Sequence, residues 1–435
     1  MKPVTVQFFW FLPVLFLGLP QPTQAESALR SGDRVCFLGD SITALGGGPD
    51  GYVSMVAAAI TLRCPGMDVD YLANAGVPGD TAPGGLKRLQ ADVLDQKPTL
   101  VMICFGMNDA RAAPYDDKTY DTYMAGMTGL VTTLKSANVR VALITSSPVD
   151  PNRAKAWFKT VEDARACNLM LARMAEGLKA LAVRENLPFC DVLTPMLDIQ
   201  GRAKKDDPSF TLAPDGIHPN ALGNTLMAYG ILRGLQVTNP PASLTINAAN
   251  GAVMAEQCMV TDLLVTAGAV SFARTDLAFP VYLPTQAECL ASYLPLQERV
   301  NPYRFAVKGL APDSTWSLCV GGTNVGDFTS IQLAAGTNLS LRVGPWRGLA
   351  ECVVRMSTDQ QKLRSSRIQF AQRMSGWTPP EAEPDLRALL DRVDTAIRDR
   401  EVARIQTPRM VHGWSWILTR TDSPGNGPST KRDHP

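Results

Sequence analysis

Between Ser31 and about Gln236, short apolar runs alternate with longer amphipathic stretches, the βαβα rhythm of a parallel sheet covered by helices. The runs that read as strands are Arg34–Leu38, Met67–Ala73, Thr99–Phe105, Val139–Thr145 and Leu187–Val192. Each has a β-branched or apolar centre and a Gly, Pro, Asn or Asp near one end. The intervening periodicity predicts helices over Gly51–Leu62, Gly84–Asp95, Tyr120–Ser136, Val161–Glu185 and Ala221–Leu235. The expected fold class is α/β, a three-layer α/β/α arrangement around a parallel sheet. A site in such a sheet belongs at the carboxyl ends of the strands.

The texture changes at Val237-Thr238-Asn239-Pro240-Pro241, where two prolines end the helical pattern. Residues 251–345 carry short alternating segments separated by Gly, Pro, Asn and Asp turns, which predicts a small β-sandwich-like accessory domain. Residues 346–410 read as a helical C-terminal region, clearest over Asp385–Ala403. Residues 411–435 are expected to be a disordered tail, since from Asp422 onward the chain is Gly, Ser, Pro and charge without apolar anchors.

At the other end, Lys2, the apolar run Val6–Leu19 and Thr23-Gln24-Ala25 have the layout of a signal peptide, so residues 1–25 are expected to be removed. Pro13 and Pro20 bracket the most apolar part and leave it short of the ~20 residues a spanning helix needs. The expectation is a secreted or periplasmic protein with no integral membrane span after signal removal, its main domain occupying residues 26–237. A length of 435 residues is more than one core usually organises, which fits this division.

Composition adds mainly exclusions. The formal net charge is +1 and the charged residues are interspersed, so no nucleic-acid partner is expected. The nine cysteines show no CxxC pair and no zinc-type Cys/His spacing, and no metal or cofactor is expected. An odd number leaves at least one thiol unpaired within the chain; Cys36 and Cys104 fall inside apolar strand patterns, as buried thiols do. Gly46-Gly47-Gly48 lacks the Lys-Ser/Thr of a phosphate loop.

Chemistry concentrates at four places. Gly39-Asp40-Ser41-Ile42 follows the first strand and presents a hydroxyl at a strand end, where it needs a base to become a nucleophile. The chain has three histidines, and His412 and His434 lie near its C-terminus, leaving His218 for the α/β region. His218 stands three residues after Asp215 in a loop entering a helix, where a carboxylate can orient an imidazole. A surface histidine in a capping loop would look the same in isolation. Gly106-Met107-Asn108-Asp109 ends the third strand, and Asn108 is either an amide donor for an oxyanion or part of an Asn-Asp turn. Asn74 through Thr81 follows the second strand; Gly79 there is a backbone donor or a plain loop glycine. No Gly-x-Ser-x-Gly elbow frames a serine near these positions, which disfavours the α/β-hydrolase fold.

Taken in order, these four segments resemble the sequence blocks of the SGNH (GDSL-type) hydrolase family, over about residues 33–236. The resemblance implies a flavodoxin-like sheet and a serine esterase. Its catalytic residues would be Ser41, Asp215 and His218, with the Ser41 and Gly79 amides and the Asn108 side chain forming the oxyanion hole. Asp40, Gly106 and Asp109 would support the loops. Pro78 departs from the small polar residue often found before the glycine and removes a backbone donor. The expected substrate is a small-molecule or glycan ester, most simply an acetylated carbohydrate. Alternatives are a lipase, lysophospholipase or thioesterase of the same family, and a non-catalytic glycan- or partner-binding protein with a relic hydrolase domain.

Overall fold

The computed structural model describes residues 28–111, 116–237, 241–295, 301–375, 377–411 and 413–422. The expected signal segment lies outside the described residues, as do His412, His434 and residues 423–435.

Strands β1 (Arg34–Gly39), β2 (Asp70–Gly76), β3 (Leu100–Cys104), β4 (Arg140–Ile144) and β5 (Phe189–Cys190) form a parallel sheet in the order β2-β1-β3-β4-β5. Central β3 is buried at every residue, as its unbroken apolar run requires. The helices are α1 (Ser41–Gly46), α2 (Tyr52–Arg63), α3 (Ala82–Asp92), α4 (Met107–Arg111), α5 (Asp117–Ser136), α6 (Val161–Glu185), α7 (Leu193–Asp206) and α8 (Ala221–Gly234). Helices α3, α5 and α6 pack together, and α2 packs on α8, so the sheet is flanked as a three-layer α/β fold. From β1 the chain crosses to β2 on one side and then to β3 on the other. That reversal opens a crevice at the carboxyl ends of these strands.

The strand boundaries depart most from expectation at β2 and β5. β2 starts at Asp70 instead of Met67, because Met67 closes a turn onto the Cys64 carbonyl (2.8 Å) and the Val69 carbonyl is taken by Arg404 (2.9 Å). β5 keeps only two paired residues, its extension giving way to α7.

The β-rich unit has two sheets and begins earlier than residue 251. Strands β6 (Ser243–Asn247), β7 (Ala252–Glu256), β10 (Arg304–Lys308) and β13 (Thr337–Asn338) form one, in the order β13-β10-β6-β7. Strands β8 (Cys258–Val265), β9 (Ala269–Asp276), β11 (Thr315–Val320), β12 (Thr323–Thr329) and β14 (Trp414–Arg420) form the other, in the order β12-β11-β14-β9-β8. The expected disordered tail is therefore corrected at its start. β14 is the central strand of that sheet, hydrogen-bonded to both β11 and β9. Alternation explains it: Trp416 and Leu418 are fully buried while Ile417 between them is exposed, and Trp416 stacks on Trp346 at 5.8 Å in the core.

The helices Pro345–Ser375 and Glu383–Gln406 return to the first sheet and cover its edge. Arg364 pairs with Asp70 at 2.7 Å, and Arg404, fully buried, pairs with Glu401 and donates to the Val69 carbonyl. Helix α2 explains its own sequence in this setting. Every residue from Tyr52 to Arg63 is buried, because α8 packs on one side and the long helix Pro345–Ser375 on another. Among the described residues, none of the nine cysteines is in a disulfide.

Candidate active site

The first site residue owes its position to a close approach. A Cβ on Gly39 would lie 2.1 Å from Thr43 Oγ1 and 2.5 Å from the Cys104 carbonyl, so only glycine lets β1 end tight against β3. Asp40 then caps α1, its Oδ1 accepting the Ile42 N–H at 2.9 Å, and Ser41 becomes the first helical residue, half-buried at the crevice.

His218 arrives from the loop before α8. There Gly216 has φ +91°, and a Cβ would meet Ala154 at 2.4 Å, so the turn tolerates no side chain. Asp215 Oδ1 accepts the N–H groups of Ile217 (3.0 Å) and His218 (2.8 Å), while Oδ2 lies 2.7 Å from His218 Nδ1. On the far side of the ring, His218 Nε2 is 2.9 Å from Ser41 Oγ. Residues 177 positions apart in sequence thus form a continuous hydroxyl–imidazole–carboxylate chain, with both links within the range for proton transfer. Partial burial works to raise the Asp215 pKa, but the hydrogen bonds from the His218 ring and from the two N–H groups outweigh it and hold the carboxyl below its ordinary value.

Asn108, in α4 after β3, binds the other two loops together. Its Nδ2 donates to the Asp80 carbonyl at 2.9 Å and to Asp40 Oδ2 at 3.3 Å. Gly79, with φ +79°, is next to Asp80 on the turn closed by Asp80 N–H to the Val77 carbonyl. Among the described residues, the N–H groups of Ser41 and Gly79 have no protein acceptor. Gly106 precedes α4 at φ +133°. Asp109 Oδ1 accepts the Ala82 N–H at 3.1 Å and fixes the start of α3.

Burial pushes the Asp40 carboxyl up to about 7 and that of Asp109 up to about 6, from an ordinary 3.8. Asp109 Oδ2 has no hydrogen-bond partner, so its charge is the poorly compensated one. A carboxyl whose folded pKa is raised binds more protons folded than unfolded between those values. Its contribution to stability is therefore complete at pH 4 and below, and falls as the pH rises through about 6. Asp109→Asn keeps the Oδ1 acceptor and cannot ionise. Its melting temperature at pH 8 should exceed that of the wild type by about 2–5 °C, with no gain at pH 4. A gain of equal size at both pH values would exclude this cause.

Several supporting residues carry no sequence motif. Arg88 on α3 bonds the Gly39 carbonyl (2.9 Å), the Ala75 carbonyl (2.8 Å) and Asp80 Oδ2 (2.7 Å), which ties the ends of β1 and β2 to the Gly79 turn. Asp150, fully buried after β4, receives the Thr211 hydroxyl at 2.7 Å and Lys204, and its N–H meets the Gly216 carbonyl at 2.8 Å. This anchors the His218 loop. Trp157 stands edge-on to His218 at 5.8 Å with the Arg111 guanidinium 4.8 Å above its ring, and forms a partly exposed rim. The only signal for Asp150 was its place just past the end of a strand; Arg88 and Trp157 gave none.

A parallel sheet with order 2-1-3-4-5 and a serine at the end of its first strand defines a class, and comparison with known proteins agrees with it. Residues 37–226 match the model of the GDSL-like lipase/acylhydrolase family. The chain is 26% identical over 222 residues to an acetylxylan esterase of Geobacillus stearothermophilus, covering 47% of this chain and 94% of that protein. It is also similar to the structure of a gut microbial diltiazem-metabolizing enzyme, with a TM-score of 0.75 and 24% identity over 92% of this chain and 99% of that one. This second likeness shows that the β-rich unit and C-terminal helices belong to a shared architecture. The domain that holds Ser41 and His218 is thereby of the GDSL-like lipase/acylhydrolase type. It is an ester-bond hydrolase.

Proposed function

We propose that this hydrolase is an exported serine esterase, with residues 1–25 removed, that deacetylates a carbohydrate through an acyl-enzyme. The observation that carries the mechanism is the Ser41–His218–Asp215 chain of hydrogen bonds. The Ser41 hydroxyl attacks the ester carbonyl, forming the Oγ–C bond while His218 Nε2 takes the proton; Asp215 stabilises the imidazolium. As the acyl C–O bond to the sugar breaks, the imidazolium gives that proton to the departing sugar oxygen, which leaves as a hydroxyl. Water, deprotonated by the same nitrogen, releases acetate and restores Ser41. The oxyanion rests on the Ser41 and Gly79 N–H groups and on the Asn108 amide. Asn108 supplies its share by exchanging the longer of its two bonds, the 3.3 Å contact to Asp40, for the oxyanion.

The carbohydrate assignment is supported by the likeness to an acetylxylan esterase over nearly that protein's whole length. Acetate release from acetylated oligosaccharides, set against a chain-length series of p-nitrophenyl and glycerol esters, tests it. The expected result is acetate release from the saccharides and falling activity beyond butyrate. Preference for long acyl chains would assign a lipase, lysophospholipase or thioesterase role instead. The same preparation, isolated after export, should begin at Glu26.

A further inference from the structure

The long helix Pro345–Ser375 covers the edge of the first sheet without closing against it at the top. Between its residues 361–369 and the loops at Gly47–Gly48 and Asn74–Pro78 lies an open cleft of 640 Å³. This is within the ~300–1,000 Å³ of small-molecule sites. One wall is built from chain neighbours of two active-site residues. Val77 and Pro78 precede Gly79, and Ala44 and Leu45 follow Ser41 by about one turn, roughly 5 Å along α1.

The other wall comes from a distant part of the chain and has a different chemistry: Gln361, Lys362, Ser365 and Gln369. Amide side chains both donate and accept, which suits the adjacent hydroxyls of a sugar ring. Gln361 is 97% buried by its 3% exposure, yet its Oε1 has no hydrogen-bond partner, an acceptor left for a hydroxyl donor. Lys362 is exposed and forms no ion pair among the described residues, while Asp92, the carboxylate in the lining, is already held by Arg88 at 2.9 Å. Exposed Leu45 and Val77 offer apolar surface for the C–H face of a ring.

We infer that this cleft binds the saccharide chain on the alcohol side of the ester, beyond the sugar unit whose acetyl group reaches Ser41. The inference rests on the carbohydrate reading above, and it makes the C-terminal helix a determinant of specificity for chain length. A longer acetylated chain then binds through the cleft, whereas an acetylated monosaccharide leaves it empty.

The test compares kcat/KM for acetylated xylohexaose and mannohexaose with that for the corresponding monosaccharide acetates. The wild type should favour a hexaose by ~10-fold or more, a factor worth about 1.4 kcal/mol. Ser365→Trp fills the cleft and should remove ~10-fold of that preference, chiefly through KM. The double change Lys362→Ala with Gln369→Ala alters only exposed side chains, so it leaves the fold in place; it should lower the preference several-fold. A preference that survives both variants, or a wild type with no preference, overturns the cleft assignment while the carbohydrate reading stands. A wild type that hydrolyses p-nitrophenyl acetate but releases no acetate from any saccharide overturns both.

Discussion

Ser41→Ala protein should hydrolyse p-nitrophenyl acetate at least ~10⁵-fold more slowly than the wild type, because under the proposed mechanism the group that forms the covalent bond is gone and His218 has no hydroxyl to deprotonate. What remains is the oxyanion donors acting on water, and loss of a catalytic serine usually leaves only ~10³–10⁴ over the uncatalysed reaction. The fold should be untouched. The Ser41 hydroxyl bonds to His218 Nε2 at a half-buried position, and the capping of α1 is done by Asp40, so deleting one oxygen removes no structural tie. The melting temperature is expected to change by less than about 2 °C. A fluorophosphonate probe should label the wild type at Ser41 and leave the variant unmodified. Undiminished turnover in a folded variant would place the nucleophile elsewhere, and a wild type that resists labelling would favour a relic domain.

The second large effect concerns the proton positions on one ring. Asp215 contributes Oδ1 to two backbone N–H groups and Oδ2 to His218 Nδ1, so Asp215→Asn can keep the turn by presenting its own oxygen to the backbone. Its NH₂ then faces Nδ1. That nitrogen must act as acceptor, which forces the ring proton onto Nε2 and points an N–H at Ser41, where a lone pair is needed. The expected result is a fall in kcat of ~10³–10⁴-fold with KM changed by less than about threefold. The two side chains are both partly exposed, so water can relieve the mismatch in Asp215→Ala better than in Asp215→Asn. The asparagine variant should therefore be the slower of the two. If alanine proves as damaging as asparagine, orientation of the ring matters more than its tautomer.

The elements that sequence revealed best were those with local punctuation. Helix α6 runs from Val161 to Glu185 as expected, because Thr160 and Asp163 form a capping box at its start and Asn186 takes the left-handed conformation at its end. The four chemical segments were equally legible, since each lies at a strand or helix end where its residue types have few structural uses. β14 was not legible. Trp414–Arg420 is followed by a polar, Gly- and Pro-containing stretch, and its alternation acquires meaning only beside β9 and β11, which lie more than 90 residues earlier. Likewise nothing local marked Pro345–Ser375 as the cover of β2 or as the far wall of a cleft.

Sequence by itself determined the α/β alternation, the centre of each strand in the first sheet and the candidate serine, aspartate and histidine, because backbone preferences and turn chemistry act over a few residues. Only tertiary structure decided that Ser41 and His218 lie 2.9 Å apart, that Arg88 and Asp150 hold their loops, and that a helix from the far end of the chain faces the site. Those relations depend on which surfaces bury one another across hundreds of residues, and burial is a property of the assembled core, to which every segment contributes.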